Sequence, residues 1–111
     1  MAASYTSGGP RPDGTARLDV AGDLDLTARS ALVGHVDRLL EDAAVTGIVI
    51  DVSAVEFIDS SCIGALVGCK LNAEKTGRTL RVQGARGQVD AVFEMTGVTA
   101  ILAGPPTRGE A

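Results

Sequence analysis

Asp59, Ser60 and Ser61 stand together in the stretch VEFIDSSCIGAL, residues 55–66, between an apolar run and a segment with helical spacing. A carboxylate beside two hydroxyls at such a junction fits three chemistries: nucleophilic catalysis, helix capping and acceptance of a phosphoryl group. A catalytic serine needs an adjacent base and a third group to orient that base. The sole histidine, His35, falls between Gly34 and Val36 in a segment that reads as helix, where a partly exposed surface role suffices. The run DSSCIG also lacks the Gly-x-Ser-x-Gly spacing of a nucleophile elbow. Asp51 and Asp59 lie near a predicted strand, but nothing marks them as a matched acid and base. GARG at 84–87 has neither the Lys-Ser/Thr tail of a phosphate-binding loop nor a Gly-x-Gly-x-x-Gly pattern. Enzymatic chemistry therefore ranks last.

Capping accounts for the residue types by itself, since Asp and Ser are favoured where a helix starts. On the residue types alone capping outranks phosphorylation, yet the same position suits a phosphate. Free N–H groups and the macrodipole make a helix N-terminus favourable for an anion. A phosphoserine there adds about −1.5 to −2 charges to a surface without breaking the fold. Cys62 and Cys69 are seven residues apart, so on one helix they stand about 10 Å from each other. A disulfide needs Cα atoms within about 7 Å. Both are expected to be reduced, buried and apolar in behaviour, with no metal bound.

The elements that hold these residues must come from an aliphatic core. The 111 residues are 45% hydrophobic but only 3% aromatic, without Trp, so Val, Leu, Ile and Ala have to fill the interior by shape. This length fits one domain. The formal net charge of −4, with no basic stripe in the sequence, disfavours nucleic acid as a partner. No apolar run approaches the ~20 residues of a membrane span, and the N-terminus lacks a signal peptide's apolar core. No membrane insertion and a cytoplasmic location are expected.

Residues 1–14, rich in Ser, Gly and Pro, read as a flexible tail with room for a short edge strand around 3–6. A domain over 15–102 follows, then a flexible tail over 103–111 that Pro105 and Pro106 keep from forming helix. Within the domain, Ala16, Leu18 and Val20 alternate with Arg17 and Asp19 as in a strand with one wet face, ended by Gly22. Ala28, Leu32, Val36, Leu39, Leu40 and Ala43 form a helical stripe, with Asp25 or Thr27 to cap it. GIVIDVSAV, 47–55, is a strand, after which Phe57 and Ile58 are expected to plug the core. A second helix runs from about Ser60 to Lys75, burying Ile63, Leu66, Val67 and Leu71, with Gly77 at its C-terminal cap. TLRVQG is a strand, GQVDAVFEMTG a helix with Val89, Val92 and Phe93 inward, and VTAIL a final strand. The alternation predicts an α/β fold with parallel crossovers and Leu18, Val20, Ile48, Ile50, Val52, Leu66, Val67 and Val82 in the core.

Three segments in order carry a family resemblance. FIDSSCIGALVG resembles the signature of the STAS domain, VAGDLDLTA is similar to that family's Gly-Glu-Leu-Asp segment, and VFEMTGV is similar to its C-terminal Leu-Phe-x-x-Ser/Thr-Gly-Leu/Val. Together they cover about residues 15–102. The resemblance implies a mixed central sheet of about four strands with helices mainly on one face. It also implies the role of an anti-sigma factor antagonist without a cofactor. Unphosphorylated, such a protein binds an anti-sigma factor that is also a serine kinase of the histidine-kinase-like ATPase fold, and a sigma factor is released. Phosphorylation ends binding, and a phosphatase restores it.

By position, the phosphate acceptor is Ser60, with Ser61 as the alternative and as its hydrogen-bonding, capping neighbour. Asp25 is the acidic residue beside the acceptor. The partner surface comprises Asp25, Asp59, Ser60, Ser61, Cys62 and Gly64. Cys62 departs from the family's usual Gly. The strand expected before TARLDV is weakly signalled, and the Pro-rich tail stands where the family's last helix belongs, leaving a face open to a partner or a homodimer. The second implied role is a STAS scaffold subunit of a transporter or signalling assembly, which needs the same surface but no phosphate cycle.

Overall fold

The computed structural model describes residues 2–103. Four strands form one sheet in the order β1-β2-β3-β4: β1 (Ser4–Ser7), β2 (Thr15–Leu24), β3 (Gly47–Ile58) and β4 (Thr79–Gln83). β1 runs antiparallel to β2, while β2, β3 and β4 are mutually parallel. The parallel strands need long crossovers. These are α1 (Arg29–Leu40), preceded by a 3-10 turn over Leu26–Ala28, and α2 (Ser60–Lys75). α3 (Gly87–Thr96) and the single turn α4 (Thr99–Leu102) follow β4. This is the mixed four-stranded α/β architecture that the family resemblance implied.

Alternation decides which sheet face is covered. Ala16, Leu18 and Val20 of β2, Ile48, Ile50 and Val52 of β3, and Leu80 and Val82 of β4 are all buried. In register, Leu18, Ile50 and Val82 form one row, and Ala16, Ile48 and Leu80 the next. Leu32 and Val36 of α1, Ile63 and Leu66 of α2, and Val89 and Phe93 of α3 belong to the same buried cluster. Val52 and Leu66 are fully buried, which fixes the phase of β3 and α2. Val67 lies half-buried at the margin of this core. The opposite face carries Arg17, Asp19, Asp51, Arg81 and Gln83 and is polar.

Several expectations are corrected. VTAIL forms helix rather than strand: the amides of Leu102 and Ala103 donate to the carbonyls of Val98 and Thr99 at 2.8 and 2.9 Å. Gly97, in the left-handed region at φ 76°, closes α3 on the covered side of the sheet. One helical turn from there buries Leu102 and leaves Ile101 exposed. Gly22 does not end β2. It takes φ 90° beside a shift in the pairing of β2 with β3, and the strand continues through this irregularity to Leu24. α1 stops at Leu40, so Ala43 lies exposed in the following turn.

On α2 the buried face is rotated from expectation. Leu71 is exposed, whereas Lys70 is buried with its ammonium 2.6 Å from Glu74. An apolar stem can lie along the core while its charged end finds a partner, so Lys70 serves where Leu71 was expected. Phe57 does not plug the core. It is 42% exposed, because the side chain of Ile58 takes the inward position at this end of β3. Of the expected tails, Ser4–Ser7 of the first forms β1, and Tyr5 stacks on His35 with ring centroids 4.4 Å apart. Residues 104–111 of the second lie outside the described residues.

Candidate functional site

Pairing of β2 with β3 builds the corner that holds the candidate residues. Leu24 and Ile58 are register partners, so the next residue of each strand, Asp25 and Asp59, emerges at the same sheet end. The amide of Asp59 donates to the carbonyl of Leu24 at 3.1 Å, which ties the two strand ends together. Gln88 of α3 completes the edge. Its side-chain amide accepts from the N–H of Ile58 at 3.0 Å and donates to the carbonyl of Ile58 at 3.2 Å, imitating a neighbouring strand.

Asp59 then caps α2. It is extended, at φ −110° and ψ 174°, and its Oδ1 accepts from the Cys62 amide at 3.2 Å and from the Ser61 hydroxyl at 2.6 Å. The hydrogen bond from Ser61 is the main reason its carboxyl titrates below the usual carboxylate range; the backbone N–H groups of Cys62, Ser61 and Leu26 add to it against some desolvation. Asp25 plays the same part for the 3-10 turn, accepting from the Thr27 amide at 3.0 Å. It does not cap α1 itself, whose N-cap position is Ala28. Ser61 likewise is not the cap; it braces the residue that is.

Ser60 is the first residue of α2 and is exposed. Among the described residues its hydroxyl has no hydrogen-bond partner, in contrast to Ser61. Gly64, one turn further along the same face, is also exposed, and a Cβ added there would meet open space. Nothing on α2 therefore screens the Ser60 hydroxyl. Cys62 points inward and is fully buried. Its Sγ lies 3.2 Å from the carbonyl of Asp25, a weak S–H donor contact that joins the 3-10 turn to the start of α2. Burial first, then the charge of Asp59, pushes its thiol above the usual range, so it stays protonated as that contact needs. A Gly at this position could not make the contact.

The corner brings together all six sequence-predicted residues: Asp25, Asp59, Ser60, Ser61, Cys62 and Gly64. Sequence reasoning missed Gln88, which looks like an ordinary first-turn residue, and the exposed apolar pair Leu26 and Phe57, at 68% and 42% exposure. Leu26 directly follows Asp25, and Phe57 precedes Ile58 and Asp59. A large apolar residue close to each of Asp25 and Asp59 in the sequence was the available signal for these two. Among the described residues no side chain is hydrogen-bonded to the Ser60 hydroxyl, whereas Asp59 holds that of Ser61. The Ser60 hydroxyl can accept a group from outside or sit at an interface, and the dipole at the start of α2 can offset part of an added negative charge.

A mixed four-stranded sheet, covered on one face and presenting a capped helix with an exposed first serine, defines a small α/β domain. The chain belongs to the STAS family: residues 8–103 match the family described as Mlab, STAS domain. No curated protein matches the sequence. Among solved structures, the anti-sigma factor antagonist SpoIIAA in its unphosphorylated form is similar at 20% identity and a TM-score of 0.76, over 96% of this chain and 91% of that one. An anti-sigma factor antagonist from Mycobacterium paratuberculosis is similar at 27% identity and a TM-score of 0.72, over 96% and 90%. A sulfate transporter family protein from Wolinella succinogenes is similar at 20% identity and a TM-score of 0.69, over 82% and 73%. Among the described residues no helix is long and apolar enough to cross a membrane.

Proposed function

We propose that this chain is an anti-sigma factor antagonist switched by phosphorylation of Ser60. In the unphosphorylated state it binds, inside the cell, an anti-sigma factor with serine kinase activity and so frees a sigma factor. Transfer of a phosphoryl group to Ser60 ends that binding, and a phosphatase resets it. The chain acts as a binding module and its partner supplies the chemistry. The observation that carries this reading is the exposed Ser60 hydroxyl, free of hydrogen bonds among the described residues at the first position of α2, while Ser61 is held by Asp59. Leu26 and Phe57 give the corner exposed apolar area for a partner, and a phosphate on Ser60 would add about −1.5 to −2 charges to that surface. The test is incubation with the cognate kinase and ATP, with the modified residue mapped by mass spectrometry. Label on Ser60, absent in Ser60→Ala, is the expected result; label on another residue at the same rate refutes the assignment.

The likeness to a sulfate transporter family protein favours a second reading, in which the same corner binds a subunit of a transporter assembly without a phosphate cycle. That reading predicts stable binding that is indifferent to kinase and ATP.

A further inference from the structure

The open face of the sheet holds a recess of about 170 Å³ lined by Arg11, Thr15, Arg17, Val49, Arg81 and Gln83. Three guanidinium groups line it and no carboxylate does, although the chain carries a net charge of −4 and only ten basic residues. The register explains the convergence. Arg17, Val49 and Arg81 form one row across β2, β3 and β4. The two arginines are thus two strand spacings apart, roughly 9–10 Å at the backbone, with the small apolar Val49 as a floor between them.

One of the three cations is held in place. Arg17 donates from Nε to Asp19 at 2.9 Å and from Nη2 to Asp51 at 3.0 Å. Asp51 is itself fixed by the amide and hydroxyl of Ser53 and by Gln83. The two bonds from Arg17 use two of the five N–H donors of its guanidinium and leave three for the recess. The backbone of Arg11 is locked in the turn before β2: its amide donates to the carbonyl of Thr15 at 3.0 Å, and its carbonyl accepts from Gly14 at 2.8 Å. The side chain of Arg81 has no partner among the described residues. Planar guanidinium forks match phosphate oxygens better than a point charge does. At this volume the recess is smaller than the roughly 300–1,000 Å³ of a pocket that engulfs a whole small molecule, so it takes a charged head group.

We propose that this recess is a binding site for a diphosphate group, with Arg17 and Arg81 straddling the two phosphoryl units across Val49 and Arg11 closing the third side. The site lies on the face of the sheet opposite the helices and makes no use of Ser60, so it stands or falls independently of the switch. The test is titration of the folded chain with inorganic pyrophosphate and with ADP, followed by amide NMR shifts at low and at 0.15 M salt. Saturable shifts at Arg17, Val49 and Arg81 are expected for pyrophosphate, with orthophosphate weaker and salt reducing the affinity. Equal binding of ADP assigns the site to the diphosphate alone, and tighter binding of ADP to a nucleotide-borne one. Arg81→Gln and Arg11→Gln, which remove exposed side chains and keep the fold, should each weaken binding about ten-fold or more, whereas Arg38→Gln on α1 should not. Shifts that never saturate, or equal affinity in wild type and Arg81→Gln, overturn the proposal and leave a solvated sheet face.

Discussion

Asp51→Asn should expose how much the open face of the sheet depends on one carboxylate. Asp51 sits on the central strand, 8% exposed, and accepts from the Ser53 amide and hydroxyl at 2.9 and 2.6 Å, from Gln83 at 3.0 Å and from Arg17 at 3.0 Å. The hydrogen bonds from Ser53 come first, then that of Gln83, with the Arg17 charge smaller; together they hold its carboxyl down from 3.8 to about 2. Each pH unit is worth about 1.36 kcal/mol, so the depression corresponds to about 2 kcal/mol of stability at neutral pH. The folded value is below the unfolded one. This stability is therefore fully present above pH 3.8 and is lost as pH falls toward 2.

Asn keeps the shape and one acceptor for Ser53 but turns an N–H₂ toward the donors of Gln83 and Arg17. Denaturant unfolding of both proteins at pH 7, at pH 4 and near pH 2 measures the difference. The expected gap is about 2 kcal/mol at pH 7, a fall in melting temperature of roughly 8 °C or more, and it should narrow steadily below pH 4. A gap of the same size at every pH would mean that hydrogen-bond geometry, not the ionised carboxylate, is what matters, and the electrostatic reasoning would fail.

Ser61→Ala should lower stability by about 0.5–1 kcal/mol, read by thermal melting, because it removes the brace on Asp59 and leaves the cap itself in place. Gln88→Ala should leave the Ile58 amide and carbonyl without their side-chain partner at the strand end; a loss of about 1–2 kcal/mol is expected, with faster hydrogen exchange at Ile58 and Asp59 than elsewhere in β3. Leu26→Ser and Phe57→Ser should leave melting within a few degrees of wild type, since both side chains are exposed, yet weaken partner binding at least about five-fold by calorimetry.

Much of this fold was legible because the period of the apolar residues is unambiguous where elements are long. Leu18 and Val20 in β2, Ile48, Ile50 and Val52 in β3, and Ile63 and Leu66 in α2 sit where alternation or helical spacing put them. The failures share a physical cause: tertiary contacts outweigh short local patterns. VTAIL is too short for a period to show, and its β-branched residues mislead once Gly97 has set the chain on the helical side of the sheet. Lys70 and Leu71 exchange the expected inside and outside places, because a lysine stem can be buried when Glu74 meets its charge. At the corner, Asp25, Asp59, Ser60 and Ser61 were visible as residues favoured at helix starts. Which of them caps and which is free depends on atomic hydrogen bonds: Asp59 faces the amide of Cys62, and Ser61 faces Asp59. No sequence pattern ranks those alternatives. Gln88 was invisible for a related reason, since its partner Ile58 lies thirty residues away in the chain.

The switch assigned to Ser60 is tested most directly by the affinity of the cognate anti-sigma factor for this chain before and after phosphate is placed on that residue, measured by calorimetry on protein whose fold is checked by melting. An uncompensated charge buried at an interface costs several kcal/mol. The phosphorylated chain should therefore melt within a few degrees of the unmodified one and bind at least about 100-fold more weakly, a difference of about 2.7 kcal/mol. Equal affinity of the two forms, with the fold intact, would contradict the phosphorylation switch.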